Sequence, residues 1–265
     1  TKPVALIGVA EKGYLSVELT ATGGGGHSSM PANDNPADRI ARAVGKITRA
    51  PFPARTGGVA GAMLDGIARY SNPALKIALA NRWLTAPLVK RQLLASPETA
   101  ASIRTTTALT MLQAGSKDNV VPQTARAVIN HRILPGDTVD SVLARDREAT
   151  GDPGVRLRVL PPAMNPSRPV PTGSAEYQRL SSVIRETFPH APVAPGLVLG
   201  ATDGRHYQGV ASAVLRFAPF TLAKADPARI HGTNERVGIA DYMRAIAFYE
   251  RLIAGQAAIS APRKI

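Results

Sequence analysis

Between residues 3 and 47 the hydrophobic period changes from that of strands to that of a helix, across a run of four glycines. PVALIGVA and YLSVELTAT read as two strands, the second alternating apolar and polar residues as a half-buried strand does. Lys12 and Gly13 mark a turn between them. Gly23–Gly26 follow, then His27, Ser28 and Ser29, and then an amphipathic helix from about Asn35 to Ile47 with Ile40, Val44 and Ile47 on one side. Pro36 suits its first turn. A strand that leads through glycine into a helix must bury its apolar side beneath that helix, which points to a layered α and β structure.

The same alternation returns later. TTTALTMLQAG, ARAVINHRIL and VRLRVL read as strands, with a helix from about Val139 to Ala149 before the last. Together with the opening strand and helix they describe a small α+β sandwich with helices on one face. Residues 51–104 carry proline and glycine punctuation between short helical patterns such as ALKIALANRWL and PLVKRQLLA, a helical insertion placed at about 57–104. Beyond the proline-rich stretch Leu160–Pro171 the rhythm becomes α/β: a helix over Ala175–Phe188, a strand over Gly196–Leu199, a loop over Gly200–Tyr207 and a strand over Ala211–Phe217. A final helix over about Ile239–Ala254 has Ile239, Met243, Ile246, Tyr249 and Ile253 on one stripe. The tail SAPRKI reads as frayed. The expected fold class is therefore α/β with α+β, broken near residue 160.

Composition narrows the function. The 265 residues hold no cysteine, so there is neither a disulfide framework nor a thiolate metal site, and either redox compartment remains open. The net charge of +13 suits phosphate neutralisation. Yet Arg39, Arg42, Arg49, Arg69, Arg82 and Arg91 sit singly along helical stretches without interleaved aromatics, which reads as a solvated basic face with no nucleic-acid partner. The longest apolar runs are strand-length, far short of the ~20 residues that span a bilayer. The chain opens at Thr1 directly in an apolar strand, so a preceding segment is expected and localisation stays open.

Three loops could carry chemistry. His27 lies on a glycine loop where a ligand can approach the backbone closely, and could donate to a developing oxyanion; a solvent histidine is the plainer reading. ATDGRHY follows a strand at the edge where open α/β sheets bind ligands, and its Arg205 could grip a carboxylate or pair locally with Asp203. His231 in RIHGTNE precedes the last helix and could ligate a metal, although zinc takes about four ligands. Asn119 and Arg132 flank one hairpin-like segment and are of types that recognise carbonyls and carboxylates, with capping and turn formation as alternatives. His131 and His190 stand in no special context.

Taken in order, PVALIGVAEKGYLSVELTATGGGGHSS, IRTTTALTMLQAGSKDNVVP, VINHRILPG, GATDGRHY, and RFAP followed by RIHGTNE resemble the co-catalytic zinc aminoacylase and carboxypeptidase family, in its carboxypeptidase S and N-acyl-amino-acid amidase branch. The resemblance implies a lid and dimerisation domain over 14–160, a four-stranded antiparallel sheet with helices on one face plus the helical insertion, with 1–13 and 161–265 belonging to an α/β zinc-exopeptidase catalytic domain. It also implies metal-dependent hydrolysis of N-acyl amino acids or short peptides bearing a free carboxylate, a homodimer through the lid, and two zinc ions, with cobalt or manganese as alternatives. His231 matches the last zinc ligand and His27 the lid histidine that serves the other subunit's site; Asn119, Arg132 and Arg205 match substrate-holding positions. The family's first histidine ligand, bridging aspartate, glutamate pair and further acidic ligand have no match here, so this chain alone is expected to be inactive and to expose apolar surface. A non-catalytic dimerisation or basic-surface binding module is the alternative.

Overall fold

A computed structural model describes residues 3–223 and 226–260, so the end of the tail, 261–265, lies outside the described residues. β1 (Ala5–Glu11) and β2 (Gly13–Thr22) are not a hairpin, as the turn expected at Lys12–Gly13 would make them; the chain passes there from one sheet into another. After the glycines come β3 (Gly26–His27) and α1 (Pro36–Arg49). Asn35 caps α1, its side chain accepting the Asp38 N–H at 3.1 Å, which satisfies one of the orphan donors of the first turn.

The insertion comprises α2 (Gly58–Ala68), α3 (Pro73–Ala80), α4 (Arg82–Leu93) and α5 (Pro97–Ile103). β4 (Thr106–Ala114), β5 (Val120–Val121), β6 (Thr124–Ile133), α6 (Val139–Thr150) and β7 (Val155–Met164) follow. The four long strands form one antiparallel sheet in the order β4-β6-β2-β7. β7 runs through Pro161 and Pro162, where only punctuation was expected beyond Leu160. As an edge strand it needs no N–H on its open side, so proline is tolerated.

Period two decides what each face of this sheet does. Leu15, Val17, Leu19 and Ala21 of β2 turn toward α1 and α6, where they form one core with Ile40, Val44, Ile47, Ile129 and Val142. The opposite face carries Tyr14, Ser16 and Glu18 in register with Arg132, Asn130 and Val128 of β6. Glu18 is buried there between Arg126 and Arg158, the latter donating at 2.7 and 2.9 Å, and the hydrogen bond from Arg158 holds its carboxyl below the usual range.

The second body contains α7 (Ala175–Thr187), β8 (Val193–Val198), the short α8 (Gly204–Tyr207), a 3-10 turn (Asp226–Arg229) and α9 (Ile239–Ser260). β8 lies parallel to β1. One sequence expectation is corrected here. Residues 211–217 form no full strand; Arg216 makes a single bridge to Gly8, and Pro219, lacking an N–H, closes the stretch. The stripe Ile239, Met243, Ile246, Tyr249 and Ile253 faces outward, between 41% and 84% exposed. α9 is apolar on both sides, and the side seated in the core is that of Ala245 and Phe248, whose ring meets Phe188 and Phe217.

Candidate functional site

The glycine run delivers His27 to a defined place. Gly25 and Gly26 adopt φ of 65° and 142°, a region that side chains rarely enter, and a Cβ on Gly25 would meet Gln123 Cγ at 2.7 Å. The chain can therefore fold back so that β3 pairs with β5, placing His27 opposite Val120. Asn119 lies beside it: its carbonyl accepts the Ser28 N–H at 3.2 Å. His27 Nδ1 accepts the Ser29 backbone N–H at 3.1 Å and lies 2.8 Å from Ser29 Oγ. A backbone amide can only donate, so in the neutral ring the proton sits on Nε2, and His27 presents an exposed N–H donor.

The other substrate candidates gather at the opposite end of the sheet. Arg132 pairs with Tyr14 and stacks over its ring, Cζ 4.7 Å from the centroid. Eight rungs of β2 separate Tyr14 from Thr22, where the glycine run begins, about 27 Å at ~3.4 Å per residue. His27 and Asn119 thus stand together, and Arg132 stands apart from both.

The surroundings of Arg132 leave little mark in the sequence. Lys12, read as a turn residue, is buried at the junction of the two sheets, donating to the carbonyls of Ala101 at 3.0 Å and Arg104 at 2.9 Å. Burial, then repulsion from Arg132 and Arg104, lowers its pKa from 10.5 to about 8, with Asp137 opposing. The signal available was a lysine flanked directly by two apolar strands. Glu11 beside it, only 3% exposed, binds Arg216 at 2.7 and 2.9 Å and accepts the Thr202 N–H, tying the loop that bears Arg205 to β1. Arg205 lines a small cleft with Glu11, Lys12 and Asn165. It donates to His206 Nε2 at 3.1 Å, and among the described residues it forms no ion pair with Asp203. Lys12 and Arg205 thus line one cleft at the junction beside the Glu11–Arg216 pair, with Arg132 near enough to Lys12 to repel it.

Between pH ~8 and ~10.5 the unfolded chain binds the Lys12 proton and the folded chain does not, so stability rises with pH across that window. The charged form is penalised by about 3 kcal/mol below pH ~8. Denaturant titrations at pH 7 and pH 9.5 are expected to show the native protein gaining on Lys12→Met as pH rises; a pH-independent difference would place a freely solvated lysine there.

His231 lies between the 3-10 turn and α9 with φ 61°, uncommon for a residue with a side chain, and its N–H donates to Glu235 Oε2 at 3.2 Å. Among the described residues no group of three or more His, Cys, Asp or Glu could hold a metal ion. His231 is thus one donor where zinc takes about four.

Residues 9–155, which hold β2, β4 and β6 of the sheet with α1, α6 and the insertion and end where β7 begins, match the M20 peptidase dimerisation domain. The chain belongs to the M20 peptidase family. Membership implies a divalent metal, typically zinc, and a domain that dimerises. This M20 chain is 38% identical over 258 residues to an N-fatty-acyl-amino acid synthase/hydrolase of Xenopus tropicalis, covering 96% of this chain and 50% of that protein. It is 34% identical over 253 residues to a probable carboxypeptidase S-like protein of Dictyostelium discoideum, covering 96% and 49%. The M20 chain therefore spans about half the length of these curated relatives. Its fold resembles that of an M20 family metallo-carboxypeptidase from Sulfolobus solfataricus, with TM-score 0.62, 17% identity, and coverage of 92% of this chain and 58% of that one. It also resembles human carnosine dipeptidase 1, with TM-score 0.58, 11% identity, and coverage of 94% and 56%.

Proposed function

We propose that the whole protein is a metal-dependent amidohydrolase acting on N-acyl amino acids or short peptides with a free carboxylate, and that each site is completed by a second copy. One observation carries the reading: His27 presents a fixed Nε2–H beside Asn119 past the glycine-run end of β2, whereas Arg132 pairs with Tyr14, eight rungs, about 27 Å, from Thr22 at that end. One substrate cannot touch both ends within a single chain. The names of the relatives favour acyl amino acids or peptides as the substrate class.

On this reading Arg132 and Arg205 hold the substrate carboxylate near Lys12. His27 and Asn119 of a second copy donate to the carbonyl oxygen, which gains negative charge as its carbon becomes tetrahedral; aimed donors there act as an oxyanion hole. His231 would be one donor to the metal, which when bound supplies Lewis-acid chemistry. The described residues do not complete the donor set, so the remaining ligands belong elsewhere in the assembly and these 265 residues alone have no turnover.

The second copy joins at β4. This edge strand, TTALTMLQA, carries no charge and exposes Leu109, Met111 and Leu112 at 40%, 44% and 57%. A long, uncharged apolar edge is a template for pairing. It also ends on the side where Asn119 and His27 stand. Leu112→Lys is expected to leave the fold intact and convert the dimer to a monomer in sedimentation; an unchanged dimer would move the interface elsewhere.

The function is tested on the whole protein with an N-acyl amino acid, with and without a chelator, alongside metal analysis of His231→Ala. Chelator-sensitive hydrolysis and a lowered metal content in the variant are expected. Hydrolysis indifferent to the chelator would remove the metal from the account, and a fully loaded variant would remove His231 from the ligand set.

A further inference from the structure

α2 anchors the helical insertion on the second body. A Cβ on Gly66 would meet Ala194 Cβ at 2.7 Å, so α2 lies directly against β8. Leu64 of α2, Leu79 of α3 and Val89 of α4 form a small buried cluster above that contact. α3 and α4 are therefore an outer layer whose inward side is already occupied.

Their outward side is apolar as well. Trp83 is 83% exposed, Leu84 and Leu88 are each 66% exposed, and Ile77 of α3 is 65% exposed. Leu84 and Leu88 are one helical turn apart, as are Trp83 and Pro87, so α4 turns a single apolar face outward, and Arg91 continues that face by another turn. Scattered single apolar residues are ordinary on a soluble surface; a helix face of them is not. The segment 58–103 carries five cations against two acids, Asp65 and Glu98, for a net charge of +3. Asp65 is already bound to Arg82.

The combination discriminates between partners. Lys76 stands between exposed Leu75 and Ile77, and lysine is depleted where protein surfaces bury an apolar centre. Cations beside exposed Trp and Leu on short helices are what a headgroup boundary accepts. No described helix is long and apolar enough to cross a membrane, so such contact would be at the surface.

We propose that the outer face of α3 and α4 seats on an anionic lipid bilayer, with Trp83, Leu84 and Leu88 entering the headgroup boundary and Lys76 and Arg91 meeting lipid phosphates. This does not depend on the hydrolase reading.

The test mixes the whole protein with phosphatidylcholine vesicles, with and without phosphatidylglycerol, and reads co-sedimentation together with tryptophan emission relative to Trp83→Phe. Expected are binding to the anionic vesicles, a blue shift absent from Trp83→Phe, and loss of binding with added salt. Arg91→Gln is expected to weaken binding about fivefold, from ~1 kcal/mol per cation near a charged surface. Leu84→Glu with Leu88→Glu is expected to weaken it more than tenfold, while both substitutions, at exposed positions, leave thermal stability unchanged. Binding that ignores lipid charge, or that survives the double glutamate change, would overturn the proposal. So would Trp83 shielded from an aqueous quencher in vesicle-free protein: shielding independent of concentration would mean that the rest of the protein covers the face, and shielding that grows with concentration would mean a second copy.

Discussion

Asp146→Ala is expected to lower the stability of the sheet domain by about 1–3 kcal/mol, the range for leaving a buried hydrogen-bonding group without its partner. His131 has no solvent exposure and Asp146 almost none; His131 Nε2 lies 2.8 Å from Asp146 Oδ2, and Nδ1 lies 3.2 Å from Thr107 Oγ1. Phe52 meets the imidazole in a T-shaped contact, the ring centroids 5.9 Å apart. This chain of contacts ties β4, β6 and α6 together through one polar group inside an apolar core. Alanine would strand the imidazole without water or an acceptor, whereas Asp146→Asn keeps an acceptor and should lose less. Against a typical total of 5–15 kcal/mol the loss is large. A denaturation midpoint corresponding to less than about 1 kcal/mol of change would show that the site relaxes or admits water.

His27→Ala is expected to reduce turnover by about 10²–10³, the range for removing one oxyanion-hole donor, with metal content and dimerisation unchanged. Ala at position 27 removes only an exposed ring whose partners are both on Ser29, so little stability is at stake. Loss of metal in this variant would instead make His27 a ligand. Unchanged turnover would return it to an ordinary loop histidine.

The sheet was legible because its signal is local. Leu15, Val17, Leu19 and Ala21 alternate without interruption, and Ile40, Val44 and Ile47 supply the helix that covers them. The extent of β7 was not, because proline tolerance depends on whether a strand lies at an edge, a property of the sheet rather than of the strand. The single bridge at Arg216 was not legible for a related reason, since an apolar run does not say whether its backbone finds a neighbouring strand, and in α9 periodicity marks an apolar stripe without saying which of two meets a neighbour. Of the candidate site, the residue types were legible and their separation was not. That His27 and Asn119 lie together, far from Arg132, follows from antiparallel register over ten rungs of β2 and β6. Lys12 and His131 were passed over because their roles come from burial between elements distant in sequence, and a lysine or histidine alone carries no mark of it.

The central claim is that one site is assembled from two copies, and subunit mixing tests it most directly. Whole protein carrying His27→Ala and whole protein carrying His231→Ala, each near-inactive, are unfolded or dissociated together and reassembled at equal concentration, with the native dimer measured in parallel. If His27 serves the site of the other copy, half of the random dimers hold one intact site, and hydrolysis recovers to about a quarter of the native rate. No recovery above the two variants alone, in a sample shown to contain mixed dimers and beside an active native control, would contradict the shared site.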